Sequence, residues 1–437
     1  VTFFQAIYKR HTNFAMEVIQ QTVNGSASNG GRVSVTIARN GDLVGNMFVA
    51  LNPQPSTIAN GAALAGTSTN TAYDANWVAE RAIQDLELTI GGQRIDKHYQ
   101  AWWRLYAELF LSDMDKLDWN KMTTASGIPN ANTRVYLPLI FFFNRNPGLY
   151  LPLIALQYHE VRLDFNLTPY FGNYFNTSIF EVWANYVYLD TEERRRFAQK
   201  GHEYLIEQVQ HTGADSVTIG TTDSTSLIRL SYNHPVKELI WCYTNPSYPG
   251  TVTSTTVGTQ LNSVWNFTTN CANVNVTSNL QLISNTNNYV LPHHLGSPFV
   301  YTGALVSGDV NKGLMVEEGV PLSLAGGPIF ETGPLQAFKL ILNGQDRFAQ
   351  QYGKFFNQVQ PFYHHTGNPY PGIYCYSFAL QPEEHQPTGT CNFSRIDNAQ
   401  VSVITKGGTT TSQQRMFAVN YNILRISSGM GKRKRVY

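Results

Sequence analysis

One strand-turn pattern is echoed within this chain. Leu86-Glu87-Leu88-Thr89-Ile90-Gly91-Gly92-Gln93-Arg94 in the first half returns as Phe338-Lys339-Leu340-Ile341-Leu342-Asn343-Gly344-Gln345-Asp346-Arg347 in the second. The first copy alternates apolar and polar residues up to a glycine pair, the pattern of a half-buried strand entering a hairpin whose turn needs positive φ. The two Gly-Gln pairs lie 344 − 92 = 252 residues apart. A weaker echo sets 33–51 against 227–244, with His234-Pro235 in place of the Arg39-Asn40-Gly41-Asp42 turn, at an offset of roughly 195. Strand-turn-strand units repeated in the same order constrain the chain to two similar β domains in tandem. The growth of the offset requires a long insert in the second half.

The rest of the pattern agrees. Val33, Val35 and Ile37 alternate with smaller residues, and Val182, Ala184, Tyr186 and Tyr188 share one face of a strand over 181–189. Strands are also expected over 135–143, 150–163, 374–380, 401–404 and 416–426. Aromatic residues make up 13% of the chain and charged residues only 14%, against about 25% in an average soluble protein, a balance that favours strands and excludes disorder for most of the length.

Two helices interrupt the strands. Tyr99, Trp102, Trp103, Tyr106, Leu109 and Phe110 follow helical spacing and predict an amphipathic helix over 98–112 that covers one end of a sheet. Asp190 as N-cap with Glu193 at N3 opens a second helix, which Lys200-Gly201 closes with a C′ glycine. That helix reads as the connector between an N-terminal domain, 1–200, and a C-terminal domain, 201–437. The insert, about 248–317, is rich in Thr, Ser, Asn and Gly and reads as a surface loop.

Several function classes lose support. The net charge is 31 − 30 = +1, so no overall field draws in a phosphate backbone. The longest apolar run, 135–143, is far short of the ~18 residues of a membrane span. Cys242, Cys271, Cys375 and Cys391 show neither zinc spacing nor the density of a disulfide framework, which predicts free thiols in a reducing compartment. The first residue is Val1 rather than Met, so something upstream is expected to have been removed or left out.

His159-Glu160 and His202-Glu203 lack the second histidine of a metalloprotease helix, with Leu163 and Ile206 in its place. His293-His294 and His364-His365 have no third ligand at regular spacing, and Asp113, Asp115 and Asp118 fit a solvated helix end better than a calcium loop. No nucleophile elbow, P-loop or dinucleotide fingerprint is present. A carboxylate pair for glycoside hydrolysis is assembled in space and nothing singles one out here, but the aromatic richness, with Tyr and Trp in loops, keeps a carbohydrate-binding or carbohydrate-cleaving β-sandwich as the alternative. The expectation is no catalytic, cofactor or metal site and no enzymatic activity. Asn-x-Ser/Thr occurs at Asn24, Asn166, Asn176, Asn266, Asn275 and Asn392, of which Asn266 and Asn275, in the long loop, are the candidate glycan acceptors. The basic block Lys432-Arg433-Lys434-Arg435 reads first as a solvated tail, with contact to nucleic acid, a membrane surface or a neighbouring subunit as the alternatives.

The wording of the chain also resembles a known family. Thr2-Phe3-Phe4, Arg39-Asn40-Gly41-Asp42-Leu43, Gly91-Gly92-Gln93-Arg94-Ile95-Asp96-Lys97-His98-Tyr99, Pro138 to Phe143, Leu151 to Val161, Leu189-Asp190-Thr191 and His202 to Gln208 resemble the major capsid proteins of nucleocytoplasmic large DNA viruses, closest to the algal, chlorella-virus type. Leu342 to Ala349, Gly389 to Asn398 and Leu424 to Gly431 carry the resemblance through the second half. The family's N-terminal arm, before the Thr-Phe-Phe block, has no counterpart here, and the insert matches nothing in the pattern.

The resemblance implies an all-β double jelly roll, two tandem eight-stranded sandwiches with a few short helices in loops, and a structural protein of the virion. It implies homotrimers of pseudo-hexagonal outline that tile an icosahedral shell against neighbouring capsomers and minor capsid proteins, assembled in the host cytoplasm. It implies no cofactor, no sequence-specific nucleic-acid binding and no transmembrane segment. Low charge suits such a tile, because broad lateral contacts would otherwise desolvate lysines and glutamates.

Overall fold

The computed structural model describes residues 4, 6, 8–53, 71–73, 77–124, 134–218, 220, 222–244, 251–253, 299–301, 315–317, 323–324, 327–328, 334–369, 372–406 and 413–426. Asn266, Asn275, Cys271, His293, His294 and the tail 432–435 lie outside the described residues, as does most of the insert.

The first half contributes β1 (Phe14–Gln20), β2 (Val23–Gly25), β3 (Arg32–Thr36), β4 (Leu43–Pro53), β5 (Thr71–Tyr73), β6 (Ile83–Ile90), β7 (Gln93–Tyr99), β8 (Val135–Pro138), β9 (Leu151–Pro152), β10 (Val161–Leu167) and β11 (Phe175–Leu189). The second contributes β12 (His202–Gln210), β13 (Ala214–Ser216), β14 (Ser224–Leu230) and β15 (Pro235–Thr244). Short pieces β16 (Thr251–Thr253), β17 (Phe299–Tyr301), β18 (Met315–Glu317), β19 (Ser323–Leu324) and β20 (Gly327–Pro328) follow. The chain then completes β21 (Leu335–Leu342), β22 (Gln345–Asp346), β23 (Gln351–Tyr352), β24 (Ile373–Ser377), β25 (Cys391–Asn392), β26 (Ala399–Thr405) and β27 (Gln413–Ile426).

Apart from the two-stranded ladders β5-β16, β17-β18 and β19-β20, these strands form two antiparallel sandwiches built to one plan. In the first, the sheet β1-β11-β4-β8 faces β2-β3-β10-β6-β7; in the second, β12-β27-β15-β24 faces β14-β26-β21-β22. Position by position the orders coincide: β1, β11, β4 and β8 match β12, β27, β15 and β24, while β3, β10, β6 and β7 match β14, β26, β21 and β22. This is the tandem duplication that the echoed pattern predicts. The turns repeat too, with φ of 59° and 82° at Gly91 and Gly92 and 52° and 78° at Asn343 and Gly344, the left-handed pair of a two-residue hairpin. Asn343 holds that conformation while its side chain accepts from the backbone N–H groups of Asp397 and Asn398, both at 3.1 Å.

Alternation builds both cores. Val33, Val35, Leu86, Leu88, Leu163 and Phe165 point inward in the first sandwich. In the second, Trp241 stacks on Phe338 with ring centroids 4.4 Å apart, surrounded by Leu340, Phe356, Val401 and Met416. The 33–51 segment is strand-turn-strand as expected, but its two strands lie in opposite sheets, so the Arg39 to Asp42 turn crosses the sandwich.

The helices are α1 (Gln100–Phe110), α2 (Asp113–Thr123), α3 (Phe142–Arg145), α4 (Phe171–Tyr174), α5 (Thr191–Gln199) and α6 (Gln360–His364), the last continuing a π-helical turn over Phe355–Val359. α1 and α5 stand where the sequence puts helices. Asp190 caps α5 by accepting from the Thr191 N–H at 2.8 Å, but Glu193 bonds Arg196 at 3.1 Å instead of closing a capping box. The chain leaves α5 through an extended Lys200, and Gly201 takes no left-handed turn.

Three expected strands are shorter than their apolar runs. The 135–143 run is a strand only to Pro138 and turns helical at Phe142, because a continuous apolar stretch is equally a buried strand or a buried helix by pattern alone. Over 150–163 only Leu151–Pro152 and the start of β10 are strand; residues 153–159 form successive turns after a proline that has no N–H for the ladder. β24 ends at Ser377, so Leu380 is exposed rather than on the buried face.

Candidate functional site

The feature that distinguishes this molecule from two separate sandwiches is the seam between them. The outer face of β12-β27-β15-β24 carries Ile240, Cys242, Ile373, Cys375, Phe417 and Val419, all of which join the apolar cluster of the first sandwich. α1 and β7 supply the opposing surface. Trp102 lies 5.7 Å from the Phe417 ring, Tyr99 meets the His211 ring edge-on at 4.8 Å, and Phe110 meets His365 edge-on at 5.0 Å. Trp103, one residue along, turns into the first core and donates its indole N–H to the Pro138 carbonyl at 3.1 Å. The α1 helix therefore fills the end of its own sandwich with one face and meets the second sandwich with the other.

Polar groups fix the register of the seam. The Val209 N–H donates to Asp96 Oδ1 at 3.1 Å, and the Gln208 side-chain amide donates to the Ile95 carbonyl. The loop after α6 docks on the end of α1: the Gly367 N–H reaches the Leu109 carbonyl at 3.1 Å and Lys116 Nζ reaches the Asn368 carbonyl at 2.6 Å. A side chain at position 367 would meet the carbonyl oxygens of Glu108, Leu109 and Leu111, so this backbone approach needs glycine.

Three groups of charges are buried near this seam. Glu207 of β12 accepts from Arg145 of α3 at 2.9 Å and from Lys237 of β15 at 2.6 Å. Burial pushes the Glu207 carboxyl up, but the Arg145 and Lys237 charges outweigh it and hold the group below the usual carboxylate range. His365 lies between Glu238, 2.9 Å from Nε2, and Glu383, 3.0 Å from Nδ1. Burial opposes its charge, yet Glu238 together with Cys375 raises its pKa well above the ordinary histidine value. Under α1 and α2, Arg104 bridges Glu80 at 3.2 Å and Glu108 at 3.0 Å while lying 4.1 Å over the Trp77 ring. Burial pushes the Glu80 carboxyl up and the Lys116 ammonium down. Buried charges of this kind are tolerated only as paired, hydrogen-bonded sets, and they fix one arrangement of the elements that carry them.

The residues that sequence reasoning weighed for chemistry are structural in position. His159 packs against Gly91, and Glu160 accepts from Thr36 at 2.7 Å. His202 bonds the Phe197 carbonyl at 2.7 Å and stacks on Phe197 and Tyr204. His364 bonds the Leu380 carbonyl at 3.0 Å, and both ring nitrogens of His365 are engaged by carboxylates. Asp113, Asp115 and Asp118 open and line α2, where Ser112 is the N-cap and Asp118 pairs Lys121 at 3.2 Å. Among the described residues no set of three or more His, Cys, Asp or Glu side chains is arranged to hold a metal ion, and no helix is long and apolar enough to cross a membrane. Cys242, Cys375 and Cys391 are free thiols. The Asn166 amide nitrogen donates to Asp85 of the neighbouring strand at 2.7 Å, while the side-chain oxygens of Asn176 and Asn392 accept from the backbone two residues on.

Sequence reasoning missed the charged seam. Lys237-Glu238 inside the apolar stretch from Val236 to Tyr243, and Arg104 with Glu108 one turn apart on the face of an aromatic helix, were the available signals. Charges inside strongly apolar elements are rarely fully buried without partners, but the partners come from other elements and leave no spacing to read.

Comparison with known proteins adds a second line. Residues 2–190 match the family model described as major capsid protein N-terminus, and residues 193–432 match that described as large eukaryotic DNA virus major capsid protein. The chain is 39% identical to the major capsid protein of Paramecium bursaria Chlorella virus 1, covering 99% of this chain and 93% of that one. It is 36% identical to the major capsid protein of Phaeocystis pouchetii virus, covering 99% and 94%. A chain of the PBCV-1 virus capsid, 37% identical, superposes with a TM-score of 0.72 over 100% of this chain and 99% of that one. The Faustovirus major capsid protein shares the fold, with a TM-score of 0.62 at 13% identity.

Proposed function

The chain belongs to the large eukaryotic DNA virus major capsid protein family, a structural component of the virion shell, and on that premise we propose that it works as a homotrimer. Two sandwiches of one plan in each chain give six in a trimer, and six similar units around a three-fold axis present a pseudo-hexagonal outline that repeats by sideways contacts over a flat facet. The duplication of sheet order is the observation that carries this reading. The buried charged seam supports it, because a tile transmits lateral contacts only if its two sandwiches move as one body.

The boundary follows the connector helix: residues 1–200 form the N-terminal jelly roll and 201–437 the C-terminal one, with the loop insert at about 248–317 on the second. α5 links β11 to β12 without joining either sheet, which supports a division there. The role is structural and non-enzymatic, with neighbouring capsomers and minor capsid proteins as partners and assembly in the host cytoplasm. A carbohydrate-binding or carbohydrate-cleaving sandwich has no comparable support.

Light scattering of the purified protein tests the reading. A particle near 3 × 49.0 = 147 kDa whose melting depends on concentration is the expected result, and a stable 49.0 kDa monomer would overturn it. Glycan on Asn266 or Asn275 is a subordinate proposal. Intact mass of the virion protein checks it, and the bare 49.0 kDa chain removes it.

A further inference from the structure

Three stretches of the sequence bring positive charge to one place in the fold. Residues 1–13 hold Lys9 and Arg10 and no acid, and residues 427–437 hold Lys432, Arg433, Lys434 and Arg435 and no acid. The first stretch ends beside the connector helix, where Phe14 pairs with Leu189 and the Asp190 N–H donates to the Asn13 carbonyl at 3.2 Å. The last begins at the other end of the same connector, where His202 pairs with Ile426 and Glu203 forms an ion pair with Arg425 at 3.0 Å. Between those points α5, none of whose residues is buried, adds Arg194, Arg195, Arg196 and Lys200. Lys432 follows Ile426 by 432 − 426 = 6 residues, a tether of at most about 20 Å.

Residues 1–13, 190–203 and 425–437 together carry 11 Lys and Arg against 4 Asp and Glu, a net of 11 − 4 = +7. The rest of the chain carries 31 − 11 = 20 against 30 − 4 = 26, a net of −6, so the total of +1 conceals a strong separation of charge. Asp42, the acid of the turn that crosses the first sandwich, is already paired with Arg194 at 2.9 Å. The first stretch is apolar as well as basic: Val1, Phe3, Phe4, Ile7 and Tyr8 precede Lys9, and Phe4 and Tyr8 are 99% and 87% exposed. A duplex phosphate backbone is bound by cations and hydrogen-bond donors and gives such side chains nothing to bury against. The headgroup region of a bilayer takes both, with ammonium and guanidinium groups at the lipid phosphates and aromatic rings at the interface.

We propose that the end of the molecule where these three stretches meet is a peripheral docking surface for an anionic lipid bilayer. Lys9, Arg10, the cations of α5 and Lys432 to Arg435 meet the lipid phosphates, and Phe4 and Tyr8 enter the interface beside them. A few apolar side chains hold a protein on a membrane only weakly, and a polybasic patch supplies the second signal that makes the contact stable, so both halves are needed. The inference goes beyond the capsid reading and does not need the trimer: it states which end of the tile faces lipid.

The test floats the full chain with vesicles of phosphatidylcholine and phosphatidylserine in equal parts, and with vesicles of phosphatidylcholine alone. The wild type is expected to float with the first and not the second, and to be released as salt rises. Lys432→Gln, Arg433→Gln, Lys434→Gln and Arg435→Gln made together should lower the partition by about tenfold or more. Phe4→Ser with Tyr8→Ser should lower it several-fold. Arg32→Gln with Lys121→Gln, exposed cations outside the three stretches, should leave it unchanged. Unchanged near-ultraviolet circular dichroism shows that each variant is folded. A wild type that floats with neither vesicle, or equally with both, overturns the proposal and leaves the capsid reading standing, because light scattering tests that reading separately. A loss from the control pair as large as that from the basic block overturns it too. Binding that is indifferent to Phe4→Ser with Tyr8→Ser and is displaced by duplex DNA marks a general phosphate surface and overturns the assignment to lipid.

Discussion

Glu207 of the second sandwich accepts hydrogen bonds from Arg145 of the first at 2.9 Å and from Lys237 of its own sandwich at 2.6 Å, so one carboxylate joins two domains. Glu207→Gln leaves Lys237 buried without its charged partner. The expected cost is about 3 kcal/mol, read as a lower urea midpoint at neutral pH. The folded carboxyl titrates below its ordinary value of 4.5, so its stabilisation is complete above that value and disappears as pH falls through the lower folded value. The gap between wild type and Glu207→Gln should therefore close in acid, and a gap that persists at low pH would refute the assignment.

His365 gives the opposite sign. It faces Glu238 of β15, Glu383 of the following loop, Cys375 of β24 and the Phe110 ring of α1, and its folded pKa lies well above 6.5. Its contribution is fully present below that ordinary value and is lost as pH rises through the raised one. Wild type should lose more stability than His365→Gln between neutral and alkaline pH. An imidazole that titrates near 6.5 by NMR would contradict this.

The two hairpin turns differ in what surrounds them. A Cβ at Gly91 would come within 2.6 Å of the His159 ring, whereas a Cβ at Gly344 meets nothing within 4 Å. Gly344→Ala carries only the backbone cost of a left-handed residue, about 1 kcal/mol. Gly91→Ala adds the displacement of His159 and should cost more, measured as the difference between the two melting midpoints.

Gly367 tests the seam itself. Its Cβ would lie 2.3 Å from the Glu108 carbonyl oxygen and under 3 Å from two others, all backbone. Gly367→Ala should cost about 2 kcal/mol by overpacking. Hydrogen exchange should quicken in α1 and β12 before either sandwich core, and uniform quickening would mean that the seam is not a separate unit.

Much of this was legible in the sequence because strand alternation, glycine turns and helix caps are local. The period of Val33, Val35 and Ile37, the Gly91-Gly92 turn and the face of α1 are set by neighbours within a few residues, and the echoed pattern announced the duplication. The extent of the 135–143 strand was not legible, since an uninterrupted apolar run has no period to separate sheet from helix.

The sequence by itself determined two β domains in tandem, their hairpins, the helix that follows the first hairpin and the connector helix between the domains; the helical segment after the second hairpin came only with the structure. Only the tertiary structure decided that Arg145, Glu207 and Lys237 meet, that His365 is held by two carboxylates, and that one sandwich lays the outer face of a sheet against the helix of the other. The reason is physical: alternation and turn chemistry act between residues close in the chain, while a buried ion pair depends on low dielectric and on partners that are brought together only when distant elements pack.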